Sequence, residues 1–239
     1  MEDKTYTPPL IVMGAKPREK ITIENLFNEA NNPIYDLLKD PPFLRHAGWN
    51  LRTLDYPKIR KGKCWEVKNG DRKTIRFYRD GSLIAIGYAD DSFLGWGQDH
   101  REFIKFPLLN SLAIVEYSYE FAELYGKMSK YFPKFRSIEF NVGIKNLQLF
   151  ESGKLYFNPR EVSDHLDLYD KERLKPVTQD FYEIVNIDIG TEYDSRYISY
   201  KLLSAFLLNF NIPSDKIPYI ARDDSGEIYV DIEKIKSIR

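Results

Sequence analysis

Residues Lys63 to Tyr88 read KCWEVKNGDRKTIRFYRDGSLIAIGY. Apolar and polar side chains alternate and two turn signals interrupt them, the pattern of a β-meander. Asp80-Gly81 predicts a two-residue turn of the I′ kind, because both residues tolerate positive φ. That turn sets Arg79 opposite Ser82, Phe77 opposite Ile84 and Ile75 opposite Ile86. At Asn69-Gly70 a two-residue loop sets Trp65 opposite Thr74, whereas a three-residue Asn69-Gly70-Asp71 loop sets it opposite Ile75. A slip of one residue moves a strand's whole apolar set to the other face, so the three-residue register is preferred. The expected result is a wall of Trp65, Val67, Ile75, Phe77, Ile84 and Ile86, with Lys68, Arg72, Thr74, Arg76 and Tyr78 on the opposite face.

Working outward, Pro107 can open a helix to about Tyr131, with Pro133 after its end. Glu116, Glu120, Glu123, Lys127 and Lys130 draw one polar stripe along it, expected to face solvent, while the rest is largely apolar and suits a helix lying across the wall. Strands are predicted over 136–144, 147–150 and 154–157. Towards the N-terminus, Pro8, Pro9 and Pro17 predict an extended arm over residues 1–20, able to reach a neighbour in a homo-oligomer. Short helices follow, one from Thr22 to Asn31 and one from Pro33. Beyond a polar connection at 158–178 come a strand from Phe181 to Ile189, a helix closed by Asn211-Ile212-Pro213, a hairpin around Asp223-Asp224-Ser225-Gly226 and a terminal turn of helix. The predicted class is α+β: an antiparallel β-meander covered by a long central helix, with a smaller C-terminal α/β portion. Residues 1–45 form the arm and short helices, 46–160 the sheet plus long helix, and 176–239 the C-terminal portion.

The 239 residues are 43% apolar and 15% aromatic, so a core rich in rings is expected and disorder is excluded. One cysteine permits no internal disulfide and no Cys-rich zinc site. No apolar run is long enough to span a bilayer and the start, Met1-Glu2-Asp3, is unlike a secretory signal, so a cytoplasmic protein without a membrane partner is expected. The phosphate-cradling and nucleophile-elbow motifs G-x-x-x-x-G-K-[ST], G-x-G-x-x-G and G-x-S-x-G are absent, and the three histidines lack zinc-ligand spacing.

The near-neutral formal charge of −1 hides a polarised chain. Residues 52–79 hold ten basic side chains and three acidic ones, whereas the rest holds 25 basic and 33 acidic. Lys61, Lys63, Lys68, Arg72 and Arg76 with the ring of Tyr78 are the candidate nucleic-acid-binding set, since cations that grip phosphates beside a stacking ring are what single-strand binders use. The same face also suits an acidic protein surface, or plain solvation of an antiparallel sheet. The expected function is therefore a non-catalytic interaction or regulatory module needing no cofactor. Two further readings stay open. One is a protein-binding structural domain. The other is a Mg²⁺-dependent nuclease of the PD-(D/E)xK type, in which Asp55 and Glu66 hold the ion and Lys68 orients the attacking water. Asp90-Asp91 with Asp99, His100 and Glu102, and Asp164-His165-Leu166-Asp167, are more readily turns or solvated loops than metal sites.

Pro41-Pro42-Phe43-Leu44-Arg45, Gly48-Trp49-Asn50-Leu51, Trp65-Glu66, Asn69-Gly70-Asp71-Arg72-Lys73 and Asp80-Gly81, together with Arg136 to Leu149, resemble the region that follows the Schlafen-type AlbA module in some prokaryotic DNA-binding proteins. The resemblance spans at most residues 41–157 and includes none of that module's catalytic or nucleotide motifs, so it carries over no active residue. It implies an accessory domain of a regulatory or defence protein.

Overall fold

In the computed structural model, the described residues are 7–28, 32–46, 48–53, 55–70, 72–96, 105–159, 174–188 and 193–238. The meander consists of β2 (Lys58–Arg60), β3 (Cys64–Asn69), β4 (Lys73–Tyr78) and β5 (Leu83–Tyr88). At the β3–β4 turn the loop holds three residues, as expected, but sits one position later. Trp65 pairs with Phe77 and Val67 with Ile75, and the apolar faces coincide.

The β4–β5 turn corrects the predicted register. Phe77 pairs with Leu83 and Ile75 with Ala85, so the two-residue turn at Asp80-Gly81 is replaced by a three-residue loop, Arg79 to Gly81. A type I′ turn needs positive φ at two residues, whereas here Gly81 alone adopts it, at +76°, and Asp80 Oδ1 accepts the Ser82 N–H at 3.0 Å. The one-residue difference inverts β5. Leu83 and Ala85 are fully buried, and Ile84 and Ile86 leave the predicted wall for the opposite face.

The predicted arm is corrected too, because residues Leu10–Pro17 form β1 in the middle of the sheet, between β5 and β8 (Ser137–Lys145). The prolines bracket this strand: Pro9 carbonyl accepts from Ala89 N–H at 2.8 Å, and Pro17 closes it opposite Ile138. Residues 1–6 lie outside the described set. With β10 (Phe181–Asp188) the sheet has seven antiparallel strands in the order β10-β8-β1-β5-β4-β3-β2. The strand assigned to the C-terminal portion is thus an edge of the main sheet. Short strands β6 (Gly95–Trp96), β7 (Leu108–Leu109) and β9 (Tyr156–Phe157) form a second sheet, and β11 (Ile220–Arg222) pairs with β12 (Ile228–Val230) as the predicted hairpin.

Four helices accompany the strands among the described residues: α1 (Pro33–Lys39), α2 (Ser111–Ser129), α3 (Ser195–Leu208) and α4 (Ile232–Lys236). α1 starts at Pro33 as expected, capped by Asn32, but Glu24 to Phe27 form a turn instead of a helix, with Asn25 at a φ of 54°. α2 begins four residues after Pro107 because Asn110 caps it by accepting the Ala113 N–H, leaving Leu108 and Leu109 free to pair as a strand. Leu147–Leu149 is a 3₁₀ turn, not the expected strand. The core joins Ile11, Met13, Trp65, Phe77, Leu83, Phe121, Tyr125, Phe140, Leu202 and Phe206, one face of the large sheet with the inner sides of α2 and α3. No helix among the described residues is long and apolar enough to cross a membrane.

The observed register sets an expected outcome for thermal or denaturant unfolding. Leu83→Ala opens a cavity in the core and costs about 2–5 kcal/mol. Ile84→Ala, on the outer face, costs under about 1.5 kcal/mol; the reverse ranking restores the two-residue turn.

Candidate functional site

The pleat sends alternate side chains to opposite faces, and the helices line only one of them. On the other, outer face, neighbouring strands align in rows. One row runs Ile184, Asn141, Gly14, Ile84, Arg76, Glu66, Lys58, and the next runs Tyr182, Gly143, Val12, Ile86, Thr74, Lys68. Ile184 is 55% exposed and Tyr182 47%, and Val12, Ile84, Ile86 and Tyr88 are half-buried; no helix among the described residues covers them. The face is apolar over β1, β5 and β10 and cationic over β2, β3 and β4.

The cationic end is organised by one carboxylate. Arg60 Nη1 and Arg76 Nε both donate to Glu66 Oε2, the latter at 2.6 Å, and Lys68 Nζ stands 3.8 Å from Oε1. Partial burial pushes the Glu66 carboxyl up, but the hydrogen bonds from Arg76 and Arg60 outweigh it and hold the group below its ordinary range. Three cations thus pair with one anion, and Lys58 stands opposite Glu66 on the neighbouring strand. Tyr78 lies across from Cys64 in the adjacent row. Lys61 and Lys63 are exposed in the turn between β2 and β3, where Lys61 has a φ of 49°, and Arg72 is exposed in the loop entering β4. The six nucleic-acid candidates thus divide between the outer face and its two bordering turns. Lys58 and Arg60 belong with them. Strand parity could have found these two only after β2 was recognised as a strand.

Two members of the nuclease triad, Glu66 and Lys68, lie within the cationic cluster. Asp55 precedes β2 by three residues, in a stretch outside the paired register, and Glu66 faces Lys58. Glu66 is occupied by guanidinium groups, and a divalent ion would have to displace both. Among the described residues no group of three or more His, Cys, Asp or Glu side chains is placed to hold a metal ion. Asp99, His100, Glu102, Asp164, His165 and Asp167 lie outside the described set. Asp90 forms a turn, its Oδ1 accepting from Ser92 N and Oγ.

On the inner face, sequence reasoning missed the principal polar feature. Glu116 and Glu120, expected on a solvent stripe, are 0% and 1% exposed. Consecutive turns of α2 aim both carboxylates at residues 44–51. Glu120 Oε1 accepts from Leu44 N and Oε2 from Leu51 N, each at 2.9 Å. Glu116 Oε2 accepts from Trp49 N at 3.0 Å, and Arg45 grips both Glu116 oxygens while Nη1 donates to the Ile238 carbonyl at 3.0 Å. A Cβ on Gly48 would lie 2.9 Å from the Glu116 oxygens, so glycine admits the close approach. Lys73, counted in the basic segment, is only 5% exposed; its ammonium donates to the Asn50 carbonyl on this inner side. Every oxygen of the two carboxylates has a donor, which makes the pair a clamp rather than a free acid–base site. A hint was present in the sequence: Val115, Tyr117, Phe121 and Ala122 surround the two glutamates with apolar neighbours, so α2 is apolar almost all round.

An open groove of about 710 Å³ beyond the end of α2 has Lys130, Lys134 and Arg136 beside Phe132, Phe135 and Tyr193. Glu19 enters it and accepts the Arg136 N–H at 2.9 Å, placing a carboxylate where an anionic ligand would sit. The sheet face is the stronger candidate.

No family model matches the chain, and searches of curated proteins and of solved structures found no match either. The Schlafen-type AlbA resemblance therefore rests on the quoted residues alone. Its first part, Pro41 to Leu51, is the segment that Glu116 and Glu120 clamp.

Burial lifts the Glu120 carboxyl to about 8, against the hydrogen bonds from Leu44 and Leu51, and burial lowers Lys73 to about 8. An acid whose folded pKa lies above its unfolded one stabilises the fold most at low pH. Stability is accordingly expected to fall as pH rises from the ordinary carboxylate range towards 8, where Lys73 too begins to lose its proton. Glu120→Gln, which cannot accept both N–H groups, is expected to lose about 1–3 kcal/mol and to flatten that slope in pH-dependent urea unfolding. An unchanged slope contradicts the assignment.

Proposed function

We propose that the outer sheet face is a non-catalytic interface for single-stranded nucleic acid. The reading is supported by one observation above the others: cations and rings share a sheet face that no described helix covers. Lys58, Lys68 and the border residues Lys61, Lys63 and Arg72 supply charge for phosphates. Tyr78, Tyr88 and Tyr182 supply rings on the same side of the pleat, and base stacking on such rings is worth about 1–3 kcal/mol each. An open sheet accommodates splayed bases in a way that an acidic protein surface does not require. Glu66 then has a definite role. By holding Arg60 and Arg76 it keeps two guanidiniums in place across β2, β3 and β4, and it tempers the local charge. A regulatory or accessory role, as the AlbA-region resemblance implies, is compatible with a surface that binds without cutting.

Fluorescence anisotropy with labelled single-stranded DNA, single-stranded RNA and duplex, across a salt series, tests the proposal. Lys58→Ala, Lys68→Ala and Arg72→Ala combined leave the Arg60 and Arg76 hydrogen bonds to Glu66 in place and are expected to weaken single-strand binding while lowering the salt slope by about 2, at roughly 0.7 per phosphate contact. Glu66→Gln is expected to tighten binding, since it removes the carboxylate that pairs with Arg60, Lys68 and Arg76 and releases both guanidiniums. Equal binding to polyglutamate, or no single-strand binding at low salt, overturns the proposal. Mg²⁺-dependent cleavage abolished by Glu66→Gln would instead establish the nuclease.

A further inference from the structure

The two edges of the large sheet differ in kind. β2 presents three residues, with Ile59 between Lys58 and Arg60, the short charged edge that discourages pairing with other chains. β10 presents eight residues, and its outward side chains include the exposed Tyr182 and Ile184. Its backbone is also available. Arg18 N–H donates to the Ser137 carbonyl at 3.0 Å, continuing the β1–β8 ladder, so the odd-numbered residues of β8 turn their amides towards β1 and the even-numbered ones towards β10. The β10 partners of those even residues are Phe181, Glu183, Val185 and Ile187. Tyr182, Ile184 and Asn186 therefore direct N–H and C=O groups away from the sheet, and among the described residues nothing accepts or donates to them.

We infer that this edge pairs antiparallel with the same edge of a second copy, about a two-fold axis at Ile184, joining two sheets into one. A second copy fits because the strand is complementary to itself in that register. Ile184 meets Ile184 of the second copy, and Tyr182 meets Asn186 on the same outer face. On the inner face Glu183 faces Val185, so no carboxylate meets its own equivalent, and Asn209 Nδ2 holds Glu183 at 3.1 Å. At the ends Asp188 falls opposite Asp180 of the second copy. Asp180 is turned back on its own chain, accepting from Asn146 N at 3.1 Å and Leu147 N at 2.8 Å. Eight residues a side are few against the roughly 20–30 of a standard stable interface, so the dimer is reversible and concentration-dependent. It stands apart from the nucleic-acid reading, although pairing would extend the outer face across two copies.

Sedimentation velocity of the full chain without nucleic acid, over a wide concentration series, is expected to show monomer passing into dimer. Ile184→Pro deletes an outward N–H and leaves the bonds to β8 in place, so it is expected to fold and remain monomeric. Asn186→Pro serves the same purpose should the first variant fail to fold. Ile184→Lys and Ile184→Glu are each expected to be monomeric, because like charges meet at the axis, and to form a mixed dimer when combined at low salt. A wild-type chain that stays monomeric at its highest soluble concentration overturns the inference. So does a dimer that survives both proline substitutions, or a Lys and Glu mixture that does not pair.

Discussion

The register of β4 against β5 decides which side chains meet the helices and which meet solvent. It is fixed at Gly81, where one positive φ permits a three-residue loop and aligns Phe77 with Leu83. Because a strand repeats every two residues, that choice propagates through the ladder: Ala85 opposes Met13 on the buried side, and Ile86 opposes Val12 on the outer side. β1 carries the same parity on to β8, and β8 to β10. The sidedness of the whole sheet, and with it any role of the outer face, depends on this local backbone choice.

The inner face is held by a different device. Glu116 and Glu120 lie under residues 44–51 and satisfy backbone donors that would otherwise be buried without partners, a cost of about 1–3 kcal/mol each. Arg45 extends the network to the Ile238 carbonyl, tying the loop, the central helix and the end of the described chain together. Trp65 performs a similar function for the preceding segment, its Nε1–H donating to the Leu26 carbonyl at 2.8 Å while Phe27 and Tyr35 pack edge-on against its ring. Long, irregular stretches can thus lie over the core because polar groups inside it replace the water that their amides lose. With the loops and helices collected here, the outer face is left to its own mixture of rings, branched chains and cations.

Much of this was legible in the residues. Alternation from Trp65 to Phe77, the capped helix from Pro33 and the final hairpin follow from local chemistry and appear as expected, as does the α+β class. The failures were of another kind. A turn dipeptide that suits two loop lengths does not state which will form, and with Ile84 and Ile86 apolar on one parity and Leu83 and Ala85 on the other, β5 could be read either way. β1 was hidden because prolines that bracket a strand resemble those of an arm; its partners lie some 70 and 130 positions away, and nothing local announces them. The glutamates of α2 matched a solvent stripe by spacing, but spacing cannot reveal that another segment descends onto that side. Of the candidate site, the cations of β3 and β4 were visible by parity. The carboxylate that organises them became intelligible once β2 brought Lys58 and Arg60 alongside.

The most direct measurement of the two-faced sheet is the rate of thiol labelling at adjacent positions of β5. In a Cys64→Ser background, Ile86→Cys places a thiol on the outer face and Ala85→Cys places one against the helices. The first is expected to react in the native state, slowed only by the partial burial of position 86, while the second reacts only as fast as the chain globally unfolds. Equal protection at both positions, or faster labelling at Ala85→Cys, would contradict it.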